Sequence, residues 1–404
     1  MNQPDALIAL ERRSALPSAA RHVLRLLERI EHGWLLLTLP NGELLSFGHR
    51  GEPVDMHVHD WSVFERVLAR GDIGLGEAWF DGLWDTDHLA RVLTLFASNR
   101  GPLETAVHGN LLALALARVR HLCRANTRRG ARRNILAHYD LGNDFYALWL
   151  DRGMTYSSAL FEGEEQRSLE AAQHAKYARI ARVLRLQRDQ PVIEIGCGWG
   201  GFAEVAARDH GAVVHGVTLS PAQLEWAQAR AQRAGCGGRA SFELRDYRDL
   251  RGQVGRIVSI EMLEAVGERW WPTYFRKLFG MLTVGGEAVV QTISIGNDLF
   301  PRYRRGTDFI QQYVFPGGML PSPSVFADQA ARAGLVLHED YRFGLDYAIT
   351  LAHWRQAFEQ QADALRALGF DRRFQRLWRF YLAYCEAGFR AGLIDVHQFH
   401  LLKP

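Results

Sequence analysis

The sequence predicts an α/β fold: a doubly wound, mostly parallel sheet preceded by a smaller N-terminal α+β domain. Three observations support this prediction. Strand-like segments alternate with helical ones in the second half, a glycine turn follows the first of those strands, and 404 residues exceed the length of one ordinary domain. Strands that alternate with helices are typical of a parallel sheet, because a parallel crossover needs a long connection.

The glycine turn lies in the segment PVIEIGCGWGG, residues 191–201. Four residues of strand character run into glycines at 196, 198, 200 and 201, and a helical pattern begins at Phe202. Glycines suit such a turn because a Cβ would collide with a ligand that approaches the backbone closely. Dinucleotide enzymes use similar turns, so the pattern alone leaves the ligand open.

The periodicity of apolar residues predicts the other elements of this domain. The predicted strands are 191–196, 212–217, 240–246, 256–261 and 286–293, and the predicted helices are 201–209, 221–234 and 270–282.

The N-terminal region reads as helix 18–32, two strands within 33–46, strand 54–59 and helix 62–68. The segment GDIGLGEAWFDGLW, residues 71–84, is interpreted as a structured loop leading into an aromatic helix. Its aromatic side chains face either a lipid surface or the protein core.

Arginines crowd the segment 118–133, directly after an apolar helical pattern at 110–117. We place the domain boundary near residue 126, which divides the chain into a smaller domain at 1–125 and a larger domain at 126–404. A basic cluster beside an apolar helix suits the anionic surface of a membrane. The alternatives are a solvated linker and, less favoured because no stacking aromatics are interleaved, a nucleic-acid site.

Composition narrows the classes of function. The net charge of +3 gives no reason to expect nucleic acid, and the longest apolar run, 111–117, is too short to span a bilayer. The N-terminus has no signal-peptide pattern. The four cysteines are widely spaced, so we expect neither a disulfide framework nor a zinc site. His57 and His59 share a strand face but have no third ligand nearby, so we predict no metal.

The strand ends favour a nucleoside ligand. A dinucleotide enzyme is expected to carry an acid after its second strand, whereas this chain has Thr218 there and Gln223 on the next helix. Both side chains can hydrogen-bond a ribose. Asp246, Tyr247 and Arg248 follow the third strand, where they would flank a purine.

Nine ordered segments resemble the cyclopropane fatty acid synthases, which include the mycolic acid cyclopropane synthases. They are HYDLGNDFY, MTYSS, VIEIGCGWGG, GVTLSPAQ, RDYRDL, RIVSIEMLEAVG, FPGGMLPS, FGLDYAITLAHW and CEAGFR, and GDIGLGEAWFDGLWD resembles the smaller domain of bacterial members. The resemblance implies a lipid-binding-type domain at 1–125 and, at 126–404, a catalytic domain with a Rossmann-like class I methyltransferase sheet and S-adenosylmethionine as cofactor. The positions it implies for cofactor binding are Tyr156, Ser157, Glu194, Gly196, Gly198, Gly200, Thr218, Gln223, Tyr247 and Arg248.

The resemblance also implies a bicarbonate ion beside the reactive methyl group. Its matching positions are Ser158, Glu264, Gln291, Ile293 and Tyr347. The family's cysteine is replaced by Ser158 and its histidine by Gln291, so the anion is either still held by hydrogen bonds or lost. If it is lost, Glu264 is the nearest carboxylate to act as base.

The implied reaction transfers a carbon from S-adenosylmethionine to the cis double bond of an unsaturated phospholipid acyl chain, and gives a cyclopropane. We hypothesise that the changes at Ser158 and Gln291 mark a branch with a methyl- or methylene-branched product. The expected setting is the cytoplasmic, inner face of a membrane, with a homodimer left open. The alternatives are a methyltransferase of a soluble small molecule and a lipid-binding protein without activity; a nucleic-acid enzyme is disfavoured because SIEMLEAVG stands where a D/N-P-P-Y-type motif belongs.

Overall fold

The computed structural model describes residues 16–104, 141–164 and 166–404. Contacts divide these residues into two compact units. Unit 1 contains the described residues 16–104 and 369–391, and unit 2 contains those in 141–368 and 392–404. The sequence placed 369–391 in the catalytic domain, whereas its contacts belong to unit 1. The boundary near 126, the apolar segment 110–117 and the arginine cluster lie outside the described residues, so those interpretations stay predictions.

The helices and strands of the described residues follow one another along the chain in this order. In the first half they are α1 (Ser18–Leu27), β1 (Trp34–Thr38), β2 (Leu44–Gly48), β3 (Val54–Val58), α2 (Ser62–Arg70), α3 (Asp72–Phe80), β4 (Trp84–Asp85), α4 (Leu89–Ser98), α5 (Arg100–Glu104), α6 (Asn143–Ala147), α7 (Leu169–Val183) and β5 (Pro191–Ile195). In the second half they are α8 (Gly201–His210), β6 (Val213–Thr218), α9 (Pro221–Arg233), β7 (Ala240–Leu244), β8 (Val254–Ile260), α10 (Trp271–Met281), β9 (Leu282–Ile295), α11 (Phe300–Tyr303), α12 (Phe309–Tyr313), α13 (Pro323–Arg332), β10 (Val336–Arg342), α14 (Gly344–Glu359), α15 (Ala362–Ala367), α16 (Arg372–Arg390) and β11 (Ile394–Leu402).

Unit 1 is a small α+β unit, as predicted, with a four-stranded sheet in the order β2-β1-β3-β4. One prediction within it is wrong: the glycines after residue 71 do not form a loop, because α3 begins at Asp72 and contains them. Gly74 is needed inside this helix, since a Cβ there would lie 2.0 Å from the carbonyl oxygen of Arg66 on α2. Trp79 and Trp84 are buried in the core of this unit. No described helix has the length and apolar composition to cross a bilayer.

Unit 2 is built on a seven-stranded sheet in the order β10-β11-β9-β8-β5-β6-β7. All its strands run parallel except β11, which pairs antiparallel with both β9 and β10. The predicted α/β class and the five predicted strands are confirmed. The sequence missed β10 and β11, because polar residues that include His397 and Gln398 occupy buried positions of β11 and break the apolar pattern of a strand.

Both faces of this sheet are buried. On one face Val192, Val258 and Val289 pack with α7 and α8, and on the other Ile257 and Val290 pack with α10 and α13. The chain leaves β5 for β6 on one side, and β8 lies on the other side of β5. A ligand crevice is expected where strand order reverses in this way, at the carboxyl ends of the strands.

Candidate active site

A cavity opens at the carboxyl ends of β5, β6 and β8, where the topology predicts it. Nine of the ten predicted cofactor positions line it: Tyr156, Ser157, Glu194, Gly196, Gly198, Thr218, Gln223, Tyr247 and Arg248. Gly200 does not line the cavity. It precedes α8 with φ +82°, and a Cβ there would lie 3.0 Å from the Cβ of Ala227. The role of Gly200 is therefore to let α8 pack closely against α9.

The glycine turn forms one wall of the cavity. The N–H groups of Gly196 and Cys197 both donate to the carbonyl of Val217, at 3.0 Å, which ties the turn to the end of β6. Gly196 has φ +81°, and a Cβ on it would lie 2.8 Å from Cγ of Met262. Gly198 has φ +51° with open space beside it. Side chains at these positions would be strained or would fill the cavity.

Polar side chains at the next two strand ends are held in pairs. Thr218 Oγ1 donates to Gln223 Oε1 at 2.8 Å, and both residues are buried. Arg248 Nη2 donates to Asp246 Oδ2 at 2.5 Å, and its Nε donates to Asp246 Oδ1 at 2.8 Å. The hydroxyl of Tyr247 is buried without a hydrogen-bond partner among the described residues. Burial raises the pKa of Tyr247 to about 12, so the phenol stays neutral and can hydrogen-bond a ligand.

Glu194 places a carboxylate at the end of β5, on the cavity wall. Burial raises its pKa to about 8, opposed by the charges of Arg230 and Lys176, and its Oε2 has no partner within the described residues. A bound ammonium group would favour the ionised form of Glu194, in which both carboxylate oxygens accept hydrogen bonds. Together with the glycine turn, the ribose-type donors at Thr218 and Gln223 and the Tyr247 hydroxyl, the residues present fit S-adenosylmethionine.

A second centre at the same cavity is organised by Glu261, which the sequence analysis did not select. Three donors converge on its carboxylate: the Ser158 N–H at 2.9 Å, Gln291 Nε2 at 2.8 Å and the Tyr347 hydroxyl at 2.7 Å. Glu261 lines the cavity directly after β8, and its backbone has φ +49°. A left-handed backbone at a residue other than glycine is uncommon and concentrates at functional sites.

This arrangement differs from the one expected around Glu264. Ser158, Gln291 and Tyr347 all bond to Glu261, whereas the N–H of Ile293 donates to Glu264 Oε1 at 2.5 Å. Ser158 contributes its backbone, since its hydroxyl donates to the carbonyl of Ala159. The donors expected for a separate bicarbonate ion are therefore already bonded to carboxylates of the chain, and the residues present do not fit that ion.

The only available sequence signal for Glu261 was the pair of glutamates three residues apart in SIEMLEAVG. The resemblance matched the second of them, Glu264, to the family's glutamate. The segment itself does not show which glutamate turns toward the cavity.

Charge around Glu261 favours its ionised form. Burial raises the pKa of Glu261, but the Tyr347 hydrogen bond and the charge of Lys176 oppose that rise. Lys176 is fully buried, donates to Ser157 Oγ at 2.5 Å and to Gln173 Oε1 at 2.7 Å, and has its pKa lowered by burial to about 7. Burial and the charge of Glu261 raise the pKa of Glu264 to about 8. Near neutral pH Glu264 is therefore mostly neutral, while the Tyr347 hydrogen bond and the charge of Lys176 favour the ionised form of Glu261 against the effect of burial.

Within the described residues no group of three or more His, Cys, Asp or Glu side chains is arranged to hold a metal ion. His59 instead contacts Asp85, with its Nε2 3.0 Å from Oδ2, and His57 lies 3.6 Å from Asp55.

Comparison with known proteins supports the same chemistry. The family model described as mycolic acid cyclopropane synthetase matches residues 126–399. The tuberculostearic acid methyltransferase UfaA1 of Mycobacterium tuberculosis is 40% identical over 84% of this chain and 80% of its own length. The cyclopropane-fatty-acyl-phospholipid synthase of Escherichia coli K12 is 36% identical over 86% of this chain and 87% of its own.

Solved structures agree on the fold. The mycolic acid cyclopropane synthase CmaA1, complexed with SAH and CTAB, superposes with a TM-score of 0.63 at 30% identity, covering 67% of this chain and 97% of that one. Coclaurine N-methyltransferase, at 16% identity and a TM-score of 0.61 over 81% of this chain and 97% of its own, shares the fold alone. The chain belongs to the mycolic acid cyclopropane synthetase family and is an S-adenosylmethionine-dependent methyltransferase of lipid modification.

Proposed function

We propose that this enzyme methylates the cis double bond of an unsaturated phospholipid acyl chain and releases a methylene-branched chain rather than a cyclopropane. The observation that carries the proposal is the carboxylate of Glu261, which accepts the hydrogen bonds expected to hold a separate anion. A base that belongs to the protein replaces one that must be bound from solution.

S-adenosylmethionine supplies an electrophilic methyl group when it is bound. The two π electrons of the double bond would form the new carbon–carbon bond while the bond between sulfur and the methyl group breaks, with its electron pair kept by sulfur in the departing thioether. The neighbouring chain carbon is left with a positive charge. A hydride shift from the methyl-bearing carbon moves that charge beside the new methyl group. Loss of a methyl proton to Glu261 then gives an exocyclic methylene, and every atom and electron is accounted for without a reductant. A direct loss of the methyl proton with ring closure would give the cyclopropane instead.

The residues around Glu261 suit proton acceptance. Gln291 and Tyr347 hold both carboxylate oxygens, which fixes their direction toward the cavity, and Lys176 favours the ionised form. A base whose pKa is raised by burial is a stronger acceptor than an exposed carboxylate. The neutral Glu264 adds no second negative charge at the same place.

The relatives support a branched product. UfaA1 is a tuberculostearic acid methyltransferase, and a relative from Pseudomonas putida, 38% identical over 70% of this chain and 72% of its own length, is a probable fatty acid methyltransferase. The Escherichia coli relative is a cyclopropane-fatty-acyl-phospholipid synthase, which makes the cyclopropane the second candidate product.

We also propose where in the cell the enzyme acts. We expect the enzyme to work at the cytoplasmic, inner face of the membrane, with the arginines of segment 118–133 against anionic headgroups, and the homodimer remains part of this expectation. Co-sedimentation with anionic and with neutral vesicles separates this setting from that of a methyltransferase of a soluble small molecule, which would bind neither.

Mass spectrometry of lipids from a host that expresses the protein tests the product directly. Oxidative cleavage converts an exocyclic methylene to a ketone and leaves a cyclopropane intact, so the two products give different fragments. We expect the ketone. A cyclopropane as the sole product would overturn the methylene assignment, and unmodified lipids with full turnover on a soluble acceptor would overturn the lipid substrate.

A further inference from the structure

We infer that a relay of hydrogen bonds from Arg179 through Gln398 fixes the amide of Gln291 so that it donates to Glu261. Arg179 and Gln398 are then positioning residues for the base, although neither lines the cavity. The inference rests on the proposed role of Glu261, and it adds which residues orient the Gln291 donor to that carboxylate.

The relay is continuous from the cavity to the surface of unit 2. Arg179 Nη1 donates to Gln398 Oε1 at 2.8 Å, Gln398 Nε2 donates to Gln291 Oε1 at 3.0 Å, and Gln291 Nε2 donates to Glu261 Oε1 at 2.8 Å. At the outer end, Arg179 Nη2 donates to Glu339 Oε1 at 2.6 Å. The two glutamines are fully buried.

Strand register creates this relay. Gln398 of β11 lies directly opposite Gln291 of β9, and Tyr341 of β10 lies opposite Gln398. Residues directly opposite each other share a face of the sheet and interact. The guanidinium of Arg179, on α7, lies 3.7 Å from the centre of the Tyr341 ring, which holds it over this row.

The direction of the relay follows from the chemistry of its outer end. A guanidinium has donors and no acceptor, so Gln398 must present its oxygen to Arg179 and its NH₂ to Gln291. Gln291 must in turn present its oxygen to Gln398, which leaves its NH₂ for Glu261. Without the cation, the Gln398 oxygen loses its donor, and only the contact with Glu261 still orients the Gln291 amide.

A purely structural role does not require this arrangement. An apolar pair at 291 and 398 would fill the same space, whereas buried amides are costly unless every polar atom is bonded. The charged and titratable groups that face Glu261 are Lys176 from α7, Tyr347 from α14 and Glu264 from the turn after β8. Lys176 and Arg179 stand three residues apart on α7, so one helix supplies both cations that act on Glu261.

The test compares pH–rate profiles of the full chain, acting on vesicles of cis-unsaturated phosphatidylglycerol at saturating S-adenosylmethionine. In Arg179→Met the acid limb of kcat should move up by about one pH unit, because Glu261 loses a donor, and kcat on that limb falls about tenfold. The KM for S-adenosylmethionine stays unchanged. Arg179→Lys, which keeps a donor-only cation, restores most of the profile.

Two further variants complete the design. Gln398→Met breaks the relay in its middle and should give the same shift, which keeps the test valid if Arg179→Met does not fold. Arg182→Met, at an exposed position of the same helix, should leave the profile unchanged. Unchanged profiles in both Gln398→Met and Arg179→Met, or a loss of activity without a pH shift and without rescue by Lys, would overturn the relay. Full activity in Glu261→Gln would instead overturn the proposed base, whatever the relay variants show.

Discussion

Polar side chains at the two ends of the cavity differ in how they are hydrogen-bonded. At the glycine-turn end, Thr218 bonds to Gln223 and Arg248 to Asp246, while the Tyr247 hydroxyl lacks a partner among the described residues. At the other end, donors from three separate segments converge on the single carboxylate of Glu261. The first end is prepared to receive a ligand. The second already contains its anion, so the two ends should respond to mutation in different parameters.

The largest effect is expected at Glu261. Glu261→Gln keeps the size of the side chain but cannot accept the proton, so kcat should fall by about 10²- to 10⁴-fold. The affinity for S-adenosylmethionine, measured by calorimetry, should change less than about threefold, because Glu261 is not one of the groups expected to bind it. A loss of affinity equal to the loss of kcat would erase the difference between the two ends.

Glu261→Gly sharpens the same point. Glycine accepts the φ of +49° without strain and leaves space where the carboxylate was. Added bicarbonate or formate should restore part of the activity of this variant, and neither should rescue Glu261→Gln, whose amide fills the space.

The opposite pattern is expected at the glycine turn. In Gly196→Ala the new Cβ would lie 2.8 Å from Cγ of Met262, at a backbone φ of +81°, so the affinity for S-adenosylmethionine should fall by about 10- to 100-fold. Gly163→Ala is the matched control, since Gly163 has φ +80° with nothing within 4 Å of a Cβ. An equal loss of affinity in both variants would mean that strain, not the shape of the cavity, is responsible.

A smaller effect, specific to pH, is expected at Lys176. Its positive charge favours the ionised form of Glu261, so Lys176→Gln should raise the pKa of Glu261. The acid limb of kcat should then move up by about one pH unit. Glutamine still hydrogen-bonds Ser157 and Gln173, which separates loss of charge from loss of contacts. An unchanged acid limb would show that Lys176 acts only in packing.

The smallest effect on turnover is expected at Glu264. Its pKa is raised from 4.5 to about 8 in the folded protein, so the stability it contributes is present below pH 4.5 and is lost as pH rises through about 8. Glu264→Gln does not titrate and should gain stability relative to the wild type between about pH 5 and 9. Urea midpoints at several pH values measure this gain, and a kcat reduced as far as in Glu261→Gln would contradict the assignment of the base.

The residues at the glycine-turn end of the cavity could be predicted from the sequence, whereas Glu261 at the other end could not, for a physical reason. The glycine turn and the residues after β6 and β7 lie on short, contiguous segments. Their residue types, glycines in the turn and polar residues at the strand ends, indicate the local backbone and the site. Glu261 is recognised by its contacts with Ser158, Gln291 and Tyr347, which are far apart in the chain. Its backbone is left-handed, a conformation that a glutamate in the sequence does not predict. Strand β11 was missed for a related reason, because the buried Gln398 belongs to that same polar network.

In our proposal, the carboxylate of Glu261 takes the place of the bicarbonate ion that the family resemblance implies. The most direct measurement is the rate of the wild-type enzyme in buffer freed of carbon dioxide, with and without millimolar bicarbonate. We expect the same rate in both, since the donors for the anion are already bonded to Glu261. A rate that rises several-fold on adding bicarbonate would contradict it.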